Sequence, residues 1–197
     1  MMNSIAIFCG SSLGVDPVYG QIATQVGQSL AAQGKTLVYG GGRSGLMGIV
    51  ADAALAAGGH VIGVIPKQLV DCELAHTGLS EIFIVENMHQ RKTKMSELSD
   101  GFIAIPGGAG TLEEIFEQWT WAQLGIHAKP CAFLNVLDFY TDLLKFISHT
   151  TSQGFTQERF TQHLIVSDSI LDIVQQFEDY QAPLAKFGLT EQKSLIK

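Results

Sequence analysis

Short runs of β-forming residues alternate along this chain with segments long enough for a helix, and this alternation is what most restricts its fold. The runs lie at residues 5–9, 36–39, 60–65, 81–85, 102–105 and 131–134, with a shorter one at 164–166. Strands that alternate with helices form a parallel sheet covered by helices on both faces. The sequence therefore predicts an α/β fold with a doubly wound parallel sheet.

Apolar spacing and glycine stops predict the helices between these strands. Val18, Ile22, Val26 and Leu30 recur every four residues, which predicts a helix that ends at Gly34. Further helices are predicted at residues 45–57, at 111–124, and around two apolar clusters beyond Asp138.

Length and hydropathy favour one globular domain over residues 1–197, with the last dozen residues loosely held. The chain has 197 residues, of which 46% are hydrophobic and 16% charged, enough to bury a substantial core. No segment reaches transmembrane length, and no basic flank followed by a long apolar stretch opens the chain. We expect a cytoplasmic protein without membrane contact.

The charge balance and the cysteines exclude further classes of protein. A formal net charge of −7 argues against nucleic acid as a partner, because a sequence-independent grip on its phosphates needs a surplus of Lys and Arg. Cys9, Cys72 and Cys131 lie far apart without CxxC spacing. This spacing indicates reduced thiols and neither a zinc site nor a disulfide framework.

Three glycine-rich turns follow predicted strands, where open parallel sheets bind their ligands. They read CGSS at 9–12, GGGRSG at 40–45 and PGGAGT at 106–111. The second turn formally satisfies GxGxxG, the dinucleotide-binding fingerprint. That fingerprint also needs an acidic residue at the end of the next strand, which here runs into Pro66 and Lys67. The dinucleotide interpretation is therefore weakened.

The turn at 106–111 directly precedes a helix that begins with acidic residues. Glycines allow a phosphate to approach the backbone closely, and the free amides of the first helical turn supply positive potential. Glu113 and Glu114 would repel a phosphate unless they face another part of the ligand. They indicate either favourable charge at a helix N-terminus or a chemical role.

The motifs PGGAGTLEE at 106–114 and MHQRK at 88–92 resemble the paired signature of the Lonely Guy (LOG) family. The resemblance continues through CGSS, YGGG at 39–42, GLMG at 45–48 and TWAQLGIHAKP at 120–130. It implies a Rossmann-like homodimer, without metal or cofactor, whose partner is a small nucleoside monophosphate. The implied reaction cleaves N6-modified AMP, a cytokinin riboside 5′-monophosphate, into the free base and ribose 5-phosphate.

The resemblance also implies which residues act. Glu114 matches the catalytic glutamate, which would stabilise an oxocarbenium-like sugar and activate water, and Arg91 would provide catalytic positioning and bind substrate. The other implied substrate contacts are Glu73, Lys92, Gly108, Ala109, Gly110, Thr111, Leu112, Glu113 and Thr120, and Glu114 belongs with them.

Three alternatives remain beside this hypothesis. One is a phosphoribohydrolase for plain AMP or another nucleoside monophosphate, and the second is a non-catalytic nucleotide-sensing or carrier domain. Intact Arg91 and Glu114 argue for turnover. The third, a lysine decarboxylase, would need a Schiff-base lysine and a carboxylate partner for pyridoxal phosphate, and the chain is small for that task.

Overall fold

The computed structural model describes residues 2–72 and 74–187, which form seven strands and eight α-helices. The strands are β1 Ser4–Phe8, β2 Thr36–Tyr39, β3 Val61–Pro66, β4 Glu81–Val85, β5 Gly101–Ala104, β6 Cys131–Leu134 and β7 Ile165–Ser167. The helices are α1 Val18–Ala32, α2 Gly45–Ala56, α3 Lys67–Asp71, α4 Met88–Leu98, α5 Ala109–Leu124, α6 Thr141–Ser152, α7 Glu158–Gln162 and α8 Ile170–Glu178.

All seven strands pair in parallel in the order β4-β3-β2-β1-β5-β6-β7. The direction of winding reverses at β1, which pairs with β2 on one side and with β5 on the other. This confirms the predicted doubly wound α/β fold. The junction between β1 and β5 is the topological switch point, where such sheets bind ligands beyond the carboxyl ends of their strands.

Helices bury both faces of the sheet, because side chains alternate along each strand. On β1, Ile5 and Ile7 belong to a core shared with α1, α2 and α8. Ala6 and Phe8 belong to a second core shared with α4, α5 and α6. Burying one large apolar side chain contributes roughly 1.5–3 kcal/mol, so these two cores hold the switch point rigidly between helix layers.

The helix predictions differ from the structure mainly in short elements. Helix α5 begins at Ala109, two residues before its predicted start, and the helix predicted around Phe139 begins at Thr141 after a 3₁₀ turn. The five-residue helices α3 and α7 were not predicted, because fewer than two turns leave no periodic pattern to detect. The expectation of a loose C-terminus falls largely on residues 188–197, outside the described range.

Two further sequence expectations can be compared with the described residues. None of their helices is long and apolar enough to cross a membrane. Cys9 and Cys131 are buried and Cys72 is exposed, all three as free thiols.

Candidate active site

The three glycine turns converge at the switch point and enclose a cavity of about 570 Å³. The Gly10 amide donates to the Pro106 carbonyl (3.1 Å), and the Leu46 amide donates to the Gly10 carbonyl (3.0 Å). These bonds tie the turn after β1 to those after β5 and β2. The cavity is lined by Cys9, Gly10, Ser11, Gly40, Gly42, Ser44, Met47, Ile65, Leu69, Leu74, Arg91, Gly108, Ala109, Gly110, Thr111 and Glu114.

The N-terminus of α5 opens onto this cavity through its glycine turn. A β-carbon at Gly107 would lie 2.1 Å from the Thr111 hydroxyl oxygen, so the turn packs closely there. At Gly108 and Gly110, by contrast, an added β-carbon would meet nothing within 4 Å. The first amides of a helix have no acceptor within it and carry its positive dipole end. The geometry therefore suits an anion beside residues 108–111.

Arg91 reaches the cavity from α4, and backbone carbonyls hold its guanidinium. Its Nε donates to the Val64 carbonyl and its Nη2 to the Gly40 carbonyl, both at 3.1 Å. A β-carbon at Gly40 would lie 1.7 Å from that Nη2, so only glycine leaves room for this contact. Buried donors that are this well paired keep one orientation.

Glu114 pairs directly with Arg91 in the wall of the cavity, with Oε1 3.3 Å from the arginine Nη1. The side chains are only 12% and 10% exposed, respectively. Burial raises the pKa of the Glu114 carboxyl, while the nearby Arg91 guanidinium acts in the opposite direction. Burial also raises the pKa of the Cys9 thiol, so Cys9 stays protonated and is poorly suited to act as a nucleophile.

Lys92 lies beside Arg91 in sequence but is not among the residues that line the cavity. Its ammonium group contacts the Glu113 carboxylate and lies 2.9 Å from Glu117 Oε1. Burial alone would lower the pKa of Lys92, but the hydrogen bonds to Glu113 and Glu117 outweigh it and raise that pKa. This cluster joins α4 to α5.

The other predicted site residues divide between the cavity and its surroundings. Gly108, Ala109, Gly110 and Thr111 line the cavity together with Arg91 and Glu114. Leu112 and Glu113 do not line it, and Thr120 is exposed further along α5. Glu73 lies outside the described residues. Substrate contacts at these four positions and at Lys92 remain predictions.

Sequence reasoning missed the apolar wall of the cavity. Met47, Ile65, Leu69 and Leu74 form this wall, and Leu69 and Leu74 come from α3 and the segment that follows it. Ile65 could have indicated this wall from the sequence, because it lies at the carboxyl end of β3, where ligands bind in such sheets. Among the described residues, no group of three or more His, Cys, Asp and Glu side chains could hold a metal ion.

Comparison with known proteins decides the family. A family model described as "Possible lysine decarboxylase" matches residues 47–177. A cytokinin riboside 5′-monophosphate phosphoribohydrolase from Rhodococcoides fascians is 48% identical over 169 residues, 85% of each chain. A protein of that name from Arabidopsis thaliana is 48% identical over 177 residues, 89% of this chain and 83% of its own.

This chain belongs to the Lonely Guy family. That membership confirms the resemblance carried by the PGGAGTLEE and MHQRK motifs. The name of the family model does not describe the cavity, because none of its lining residues among those described is a lysine. A pyridoxal-phosphate decarboxylase would need a Schiff-base lysine there.

Solved structures of low sequence identity share the fold of this Lonely Guy protein. A molybdenum cofactor binding protein from Rippkaea orientalis superposes with a TM-score of 0.68 at 20% identity, covering 91% of this chain and 97% of its own. A Moco carrier protein from Chlamydomonas reinhardtii gives a TM-score of 0.69 at 19% identity, covering 91% and 99%. At this level of identity the likeness concerns the fold alone.

Proposed function

We propose that this protein hydrolyses the N-glycosidic bond of a cytokinin riboside 5′-monophosphate, releasing the free N6-modified base and ribose 5-phosphate. Relatives that are 48% identical over most of the chain carry the name of this activity. The observation that carries the proposal is the Arg91–Glu114 pair, which shares one cavity with the N-terminus of α5.

The 5′-phosphate is proposed to bind at the N-terminus of α5. The amides of residues 108–111 and the Thr111 hydroxyl lie at the positive end of the helix dipole. Because the whole chain carries a formal charge of −7, a phosphate needs such a local site.

Glu114 is proposed to act on the ribose and on the attacking water. Hydrolysis of a nucleoside bond passes through an oxocarbenium-like sugar, which a nearby carboxylate stabilises. Burial raises the pKa of Glu114, which makes its carboxylate a better proton acceptor for water. Arg91 is proposed to keep this carboxylate in place, since two backbone carbonyls fix its guanidinium.

The apolar wall supports a purine that carries an apolar N6 substituent. Met47, Ile65, Leu69 and Leu74 give this side of the cavity no charged group. Such a surface gains free energy by covering an apolar substituent, which plain AMP lacks. The AMP-specific hydrolase is therefore the second candidate to test.

We further propose a cytoplasmic homodimer, as the family resemblance implies. Within one chain, neither Lys92 nor Thr120 lines the cavity, although both match positions implied to contact substrate. A second copy could bring such positions to the cavity. Light scattering of the purified protein measures its molar mass and so tests the homodimer, which a monomeric mass would contradict.

The deciding experiment is chromatographic product analysis after incubation with isopentenyl-AMP, isopentenyl-adenosine and AMP, without added cofactor. We expect free base from isopentenyl-AMP, with little from the riboside because that substrate lacks the phosphate. Faster release from AMP would favour the AMP-specific hydrolase. No free base from any substrate would overturn the hydrolase proposal and favour nucleotide sensing or carriage.

A further inference from the structure

Residues 74–78 begin at the cavity wall with Leu74 and are tied to the glycine turn that follows β2. We call these residues the rim segment. Its Leu74 lines the cavity and accepts a hydrogen bond from the Arg43 amide (3.0 Å). The His76 amide donates to the Gly41 carbonyl (2.9 Å). An antiparallel bridge between Gly42 and Ala75 completes the contact.

The His76 side chain fastens the rim segment to helix α2. Its Nδ1 accepts the Gly78 amide hydrogen (3.0 Å), and its Nε2 lies 2.9 Å from Asp52 Oδ1. Because Nδ1 accepts, the proton of the neutral ring lies on Nε2 and is donated to Asp52. The imidazole is 11% exposed and Asp52 is 72% exposed. A largely buried ring thus links the rim segment to a solvent-facing carboxylate.

Helix α2 provides a firm anchor for this link. It packs on α1 at Gly27, where an added β-carbon would lie 2.4 Å from the Val50 carbonyl oxygen. The turn after β2 also holds Arg91, because its Gly40 carbonyl accepts a hydrogen bond from Arg91 Nη2. The rim segment, the turn and the arginine are therefore held in one continuous set of contacts.

We propose that His76, held by Asp52, is a positioning residue that fixes the rim segment against the glycine turn and so sets the affinity of the cavity for substrate. A hydrogen bond to the exposed carboxylate of Asp52 contributes only a modest free energy by itself. Its effect here comes from geometry, because the rim segment carries Leu74 of the apolar wall. Arg91 keeps its hydrogen bond to the Val64 carbonyl, so the effect falls on binding more than on the chemical step.

Steady-state kinetics of His76→Ala test this proposal, which in this measurement rests on the proposed function. Losing both side-chain hydrogen bonds should raise KM roughly three- to tenfold, while kcat changes less than about twofold. His76→Gln should recover part of the loss, because its amide can still donate to Asp52. The matched control is His60→Ala, which removes a histidine 3.3 Å from Glu81 Oε1 and outside the cavity lining.

A double-mutant cycle tests whether Asp52 acts through His76. Asp52→Ala should raise KM in the same direction, and the double variant should be no worse than His76→Ala. Additive effects would contradict the link. If His76→Ala does not fold, Asp52→Ala decides the question, because this change lies on an exposed position of α2.

Amide hydrogen exchange tests the rim segment independently of turnover. The amides of Arg43 and His76 should exchange faster in His76→Ala than in the parent protein and in the His60→Ala control. If the parent released no base from any nucleotide, exchange and the Kd for AMP would still decide this proposal. Unchanged exchange with unchanged KM or AMP Kd would overturn it, as would a fall in kcat alone.

Discussion

Two charged clusters on the same two helices lie one residue apart in sequence and have different surroundings. Arg91 and Glu114 face the cavity, whereas the neighbouring Lys92 and Glu113, together with Glu117, join α4 to α5. One residue along an α-helix turns the side-chain direction by about 100°. Consecutive residues of the same charge therefore face different surroundings once the helices are packed.

The two clusters also differ in how their cations are held. Rigid backbone carbonyls hold the guanidinium of Arg91, and its carboxylate partner is almost fully buried. Lys92 is held by two carboxylates, and the side chain of one of them, Glu113, is 54% exposed. A preorganised, desolvated pair is suited to stabilising charge in a reaction. A partly exposed pair is suited to holding two helices together.

The largest expected effect comes from removing the charge in the cavity. Glu114→Gln should lower kcat by about 10³-fold, because the amide can neither accept a proton from water nor stabilise an oxocarbenium ion as a carboxylate does. The Kd for AMP should change only a few-fold, because the side-chain volume is kept. Single-turnover kinetics and calorimetry measure the two quantities.

Glu97→Gln is the matched control for this variant. Glu97 lies on α4, is 60% exposed and pairs with Lys94 at 3.3 Å. Wild-type kcat in Glu114→Gln would remove Glu114 from the catalytic role.

A second variant disturbs Arg91 without changing any charged group. In Gly40→Ala the new β-carbon would lie 1.7 Å from Arg91 Nη2, so the guanidinium has to leave the Gly40 carbonyl. We expect kcat/KM to fall roughly ten- to a hundredfold, because small displacements of catalytic groups are costly. In the control Gly20→Ala, the β-carbon meets Ile49 Cδ1 at an ordinary 3.5 Å. Equal activity of the two variants would contradict a role for Arg91 in positioning.

The pH dependence of kcat should also show the coupling between Arg91 and Glu114. Burial raises the pKa of Glu114 and Arg91 opposes this, so the carboxylate proposed to be the active form is lost on acidification at a higher pH than for an ordinary glutamate, about 4.3. Arg91→Gln removes the opposing charge and should move the acid limb of kcat to higher pH. Acid limbs at the same pH would contradict this electrostatic coupling.

The smallest expected effect lies in the second cluster. Glu117→Gln leaves Lys92 with its contact to Glu113, so the free energy of unfolding should fall by about 1 kcal/mol. Urea denaturation measures this change, and kcat and KM should stay within about twofold. Glu158→Gln on α7 is a surface control. A tenfold loss of kcat in Glu117→Gln would show that the second cluster also contributes to turnover.

Much of the fold could be predicted from local patterns. Each strand and each of the helices α1, α2, α5, α6 and α8 carries its own signal, since buried parallel strands are apolar throughout and surface helices show a periodic stripe. Short α3 and α7 carry no such signal, and α3 contributes Leu69 to the apolar wall. That wall therefore could not be predicted from the sequence.

The sequence by itself determined that three glycine turns follow strands, that Arg91 and Glu114 stand in family motifs, and that the sheet is doubly wound. These properties depend on residues close together in the chain. Only the tertiary structure decided that Arg91 rather than Lys92 faces the cavity, and that Leu74 and His76 lie against the turn after β2. The physical reason is that the rotation of each helix about its axis, and the loops brought beside it, follow from packing across the whole sheet.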